Sequence, residues 1–147
     1  MSIPAIRTQL IANLRDPAKQ RKYRAAGRAA VGNTSHNACA ATASQPLLEL
    51  GVLNHIELLA EGLSDACKKT KRFQAISNLS LAQPGYLVVC ADLNGNGLSD
   101  HVWWLLRDLG GGWYECLDNQ GKGLTHRRRL DGADGRTKAR GLLILNT

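Results

Sequence analysis

From Gly85 to Asn119 the chain reads GYLVVCADLNGNGLSDHVWWLLRDLGGGWYECLDN. Three runs in it are β-rich: GYLVVCADL (85–93), HVWWLLRDL (101–109) and WYECLDN (113–119). A polar Asn/Gly loop separates the first two, and Gly110-Gly111-Gly112 separates the second from the third. Strand-like runs joined by short glycine-rich turns predict an antiparallel meander. The turn signal Gln83-Pro84-Gly85 precedes the first run, and the C-terminal GLLILNT is a candidate fourth strand.

Upstream the periodicity is helical. Residues 3–15 and 17–31 carry helix formers broken at Asp16-Pro17, and Pro17 suits the first turn of a new helix. The polar loop GNTSHN (32–37) leads into ACAATASQPLLELGV, whose apolar positions fall at helical spacing, with Gly51 as its stop. Pro46 is expected to kink or divide this helix. NHIELLAEGLSDACKKT (54–70) reads as a further amphipathic helix capped by Asn54, and 121–140 as a long basic loop. Helices first and strands afterwards define an α+β class, N-terminal helices packed on a small antiparallel sheet. The expected organisation is one domain over 1–147: a helical segment (1–31), a core (32–121), then a basic loop and final strand (122–147).

Composition narrows the function classes. The chain has 147 residues and a formal charge of +7. Such a surface favours polyanions: nucleic acid, anionic lipid or an acidic cell-wall polymer. The charge gathers at 15–28, 68–72 and 127–140, but Trp103, Trp104, Trp113 and Tyr114 lie in strand-like segments. They are not interleaved with the basic runs as base-stacking aromatics would be, which speaks against nucleic acid as the partner. No apolar run is long enough to span a membrane. The first residues, MSIPAIRTQLIANLRDPAKQ, lack the pattern of a secretion signal, so synthesis in the cytoplasm without a signal peptide is expected. Cys39, Cys67, Cys90 and Cys116 form no C-x-x-C pair, which argues against a zinc ribbon or dithiol redox site.

One of these thiols stands apart. Cys39 falls at a helix start after a polar loop, where free N–H groups favour thiolate and can bind an oxyanion. His101 heads a strand, where a base can face a nucleophile on a packed helix. Asp118 or Asn119, ending the neighbouring strand, is placed to orient the imidazole, and alternation lets only one of them point that way. His36 is too local to Cys39, His55 is assigned to a helix, and His126 adjoins a basic run.

The order of these features resembles the papain-like cysteine hydrolases of the compact bacterial type, the CHAP and NlpC-like amidases and endopeptidases. The residues that carry the resemblance are NACAATASQPLLELGV around Cys39, QPGYLVV before the loop, DHVWWLL around His101 and CLDNQG around Asp118. It spans roughly residues 30–121. Tyr86, Trp103 and Pro46 depart from the usual pattern. LDNQG also resembles the aspartate–x–glutamine segment of papain-fold toxins and deamidases, which favours Asp118. The resemblance implies a Cys39–His101–Asp118/Asn119 triad, with Asn33 or Asn37 completing the oxyanion hole. It implies an amidase or endopeptidase acting on the peptides of peptidoglycan in the anionic cell envelope. A phage lysin, or an effector exported by a secretion machine and matched by an immunity protein, would reach that substrate. A papain-fold toxin that deamidates or cleaves a host protein, and a non-enzymatic basic nucleic-acid-binding or adaptor domain, are the rival readings.

The loop before His101 carries a second pattern. Asp92, Asn94, Asn96, the carbonyl of Leu98 and Asp100 match the first half of an oxygen-ligand calcium loop, with Gly97 at the sharp turn. Trp103 occupies the position where a bidentate glutamate would stand in a helix-loop-helix site. The loop is thus open to two readings, a structural calcium that stiffens it or a plain Asn-Gly-Asn-Gly connection between strands, with no cofactor required for the reaction itself.

Overall fold

The computed structural model describes residues 3–33, 38–90 and 101–146. Four helices come first: α1 (Ile3–Arg15), α2 (Pro17–Ala30), α3 (Cys39–Glu49) and α4 (Ala60–Lys69). Six strands follow: β1 (Phe73–Ile76), β2 (Leu87–Cys90), β3 (Val102–Gly110), β4 (Trp113–Leu117), β5 (His126–Arg129) and β6 (Ala139–Leu145). The class is α+β, with the helices N-terminal to one antiparallel sheet ordered β1-β6-β2-β3-β4-β5.

Local chemistry accounts for the helix boundaries. Asp16 caps α2 by accepting from the N–H of Ala18, beside Pro17 in the first turn. Gly51 ends α3 in a left-handed conformation (φ 68°) that a side chain would strain. Pro46 neither divides nor ends α3, which runs through it to Glu49. The expected helix from Asn54 begins only at Ala60. Asn54 instead accepts from His55 Nδ1, and His55 Nε2 meets Glu57, so His55 belongs to a connection and not to a helix. The backbone N–H of Glu57 is drawn to Ser44 Oγ on α3. These side-chain bonds compete with a first helical turn and win.

The sheet is sandwiched. Along β3, Val102, Trp104 and Leu106 join the helices in one apolar cluster with Leu10, Leu14, Leu47 and Leu63. Trp103 and Leu105 join Tyr86, Val88, Cys90, Cys116, Leu130 and Leu142 on the opposite face. Alternation along one strand thus fills two cores. Two polar ties fix the helices to β3: Trp104 Nε1 donates to the carbonyl of Ala43 at 2.9 Å, and Arg15 donates to the carbonyl of Leu106. Gly27 lets α2 close on α3, since a Cβ there would lie 2.7 Å from Thr42 Cα.

Three strands differ from expectation. Strand β1 (Phe73–Ile76) lies where no strand was expected. The basic segment expected to be one long loop holds β5, which pairs with β4 through Cys116↔His126 and Tyr114↔Arg128. The C-terminal strand does not extend the meander; β6 inserts between β1 and β2, pairing Phe73↔Leu145 and Val89↔Gly141. The antiparallel order therefore gathers the end of β2, the start of β3, the end of β4, and the starts of β5 and β6 at one end of the sheet.

Candidate active site

Cys39 is the first residue of α3, with Ala38 at the cap position. Its side chain is buried against the sheet, with 8% of the residue exposed. His101 precedes β3 and is 6% exposed; its ring is close enough to the Cys39 sulfur for the two to interact. Its Nε2 lies 2.8 Å from Asp118 Oδ2, and Asp118 is fully buried at the end of β4. A carboxylate only accepts, so Nε2 carries the proton and Nδ1 is the other ring nitrogen, the one not engaged by Asp118. The structure thus brings Cys39, His101 and Asp118 together, each from a different element.

The electrostatics favour a charged pair. Burial works against the His101 imidazolium, but the bond to Asp118, the contact with Cys39 and their charges outweigh it, raising its pKa above the ordinary value. Burial also opposes ionisation of Asp118. Hydrogen bonds and charge from His101 and His126 reverse that and hold its carboxyl well below the usual carboxylate range. Burial pushes Cys90 up to about 11 and Cys67 up to about 12, and raises Cys116 as well.

Asp118 has further partners that sequence reasoning did not assign. His126 Nε2 lies 2.8 Å from Oδ1, the N–H of Gln120 donates to the same oxygen at 2.8 Å, and Arg128 Nη1 reaches Oδ2 at 3.3 Å. Arg128 is only 1% exposed and stacks over Trp103 at 5.7 Å. The loop after Asp118 is clasped by Arg24, which donates to the carbonyls of Gln120, Gly121, Gly123 and Leu124. Strand period was the signal available in the sequence: in THRRRL, His126 and Arg128 share one face, while Arg127 and Arg129 stack on Trp113.

The remaining expected residues sit as follows. Asn119 follows Asp118 and is half-buried. Asn33 is exposed with φ 63°, and its N–H returns to the carbonyl of Arg28 as the chain leaves α2. Asn37, His36 and the proposed calcium ligands Asp92, Asn94, Asn96, Leu98 and Asp100 lie outside the described residues. Cys116, Asp118 and His126 each offer a metal-ligand atom, all within 4.8 Å of one another. Yet both Asp118 oxygens already accept hydrogen bonds, and the Arg128 cation shares the space, an arrangement suited to hydrogen bonding more than to a cation.

A cleft of about 410 Å³ opens at the same sheet end, with Lys68 and Arg140 at its border and Val89 and Gly141 on its wall. Val89 pairs with Val102, next to His101. A second cleft, of about 600 Å³, is lined by residues among 51–57 and 62–70, and neither cleft is lined by Cys39, His101 or Asp118. No protein-family model, curated protein or solved structure matches the chain.

Proposed function

We propose that the chain is a papain-like cysteine hydrolase that cleaves amide bonds, with the peptides of peptidoglycan as its substrate class. The observation that carries this reading is the Cys39–His101–Asp118 contact series: a thiol at a helix start, an imidazole against it, and a buried carboxylate fixing the ring. In the proposed reaction the Cys39 proton passes to His101 Nδ1, and the thiolate attacks the amide carbonyl carbon. The backbone N–H of Cys39 at the start of α3 stabilises the oxyanion. His101 gives its proton to the leaving nitrogen as the C–N bond breaks. It then takes a proton from water, which attacks the thioester and releases the acid and the Cys39 thiolate.

The net charge of +7 suits an anionic envelope, and this is the support for a cell-wall substrate. Calcium in the 92–100 loop would stiffen the segment leading to His101 without entering the chemistry. Cys39→Ala and His101→Ala are each expected to abolish hydrolysis of purified peptidoglycan; full activity in either variant contradicts the assignment. A second reading, deamidation of a protein side chain, is favoured by the Asp118-x-Gln120 arrangement. There the Gln120 N–H donates to Asp118, and its Oε1 accepts from Arg136. Intact-mass analysis of protein targets separates the two: deamidation adds about one mass unit, and hydrolysis cuts the chain.

A further inference from the structure

We propose that His126 and Arg128 are positioning residues: by gripping Asp118 from behind, they set where its carboxylate sits and how strongly it holds His101. The inference rests on the triad reading above. Each oxygen of Asp118 is shared. Oδ2 accepts from His101 Nε2 and Arg128 Nη1, and Oδ1 accepts from His126 Nε2 and the Gln120 N–H. A carboxylate that serves four donors gives less electron density to each, so the β5 side chains moderate its pull on His101.

Stability alone does not account for Arg128. Its guanidinium is buried, its Asp118 contact is long at 3.3 Å, and its Nε has no hydrogen-bond partner among the described residues. An apolar side chain of similar volume would pack on Trp103 without desolvating a charge. The His126 Nδ1 is also buried and unpartnered among the described residues, so its one ring hydrogen bond is spent on Asp118. Among the described residues, the other titratable groups around Asp118 and His101 are thiols, Cys116 on β4, Cys90 on β2 and Cys39 on α3, together with Arg136, whose charge acts on Cys116. Arg128 is therefore the buried cation that competes with His101 for the carboxylate.

The test reads position and turnover. In a Cys39→Ala background, where no turnover is needed, a crystal structure of Arg128→Met should show the Asp118 carboxylate turned away from His101. In the otherwise native enzyme, Arg128→Met should lower kcat by at least about tenfold with little change in KM, and Arg128→Lys should recover most of it. A purely structural role would lower the folded fraction and leave kcat per folded molecule unchanged. A folded Arg128→Met protein with native kcat and an unmoved Asp118 overturns the proposal. If Arg128→Met does not fold, His126→Ala decides by the same two readouts, with a smaller loss of kcat expected. Lack of hydrolysis by the native protein would count against the triad reading while leaving the crystallographic result intact.

Discussion

At Asp118 one buried carboxylate holds two imidazoles and a guanidinium. Asp118→Asn removes the negative charge that favours the His101 imidazolium, so the basic limb of the activity profile should fall by about one pH unit. The same variant leaves Arg128 buried without its counter-charge, at a cost of about 3–5 kcal/mol in a urea melt. The stability linkage of His101 follows from its raised pKa. Its contribution is fully present below the unfolded-state value of about 6.5 and is lost as pH rises through the higher folded value. Cys39→Ala and His101→Ala should preserve the fold, because neither strands a buried charge, and circular dichroism can confirm this.

At the scale of elements, the site depends on α3 being seated on β3. Trp104→Phe deletes the hydrogen bond to the Ala43 carbonyl and leaves that group in an apolar setting, so a loss of about 1–3 kcal/mol in unfolding free energy is expected. Gly27→Val should cost more and displace α3, since the added side chain would meet the Thr42 backbone. Crystallography of the variant would show whether Cys39 has moved away from His101. These elements also show what the sequence could reveal. The apolar run HVWWLL and the Gly110–Gly112 turn made β3 and β4 legible, and the polar loop before Cys39 marked the start of α3. The insertion of β6 between β1 and β2 was not legible, because pairing partners far apart in sequence leave no local signature. Strand β5 was hidden by its charge. HRRR looks like loop until the partners Asp118, Trp113 and Asp131 that neutralise or stack on it are known. The start of α4 was missed for a local reason, the Asn54–His55–Glu57 hydrogen bonds that replace a first turn.

The whole molecule should be sensitive to acid. Besides Asp118, Glu49 stands low, at about 2: Lys19, Tyr23 and Lys22 hydrogen-bond to it and overcome the cost of its burial. Both carboxyls have folded pKa values below their unfolded ones. Their stabilisation is present above the unfolded value, near 4.5 for Glu49, and is lost as pH falls through the folded value. Melting temperature should therefore drop steeply below about pH 4.5, and Glu49→Gln should flatten part of that slope. Among the described residues no helix is long and apolar enough to cross a membrane. The most direct test of the central claim is the rate at which iodoacetamide alkylates each cysteine at neutral pH, mapped by mass spectrometry. Cys39 should react faster than Cys67, Cys90 and Cys116, which burial holds protonated, and His101→Ala should slow Cys39 by at least about tenfold. Equal labelling of Cys39 in the native and His101→Ala proteins would contradict the account.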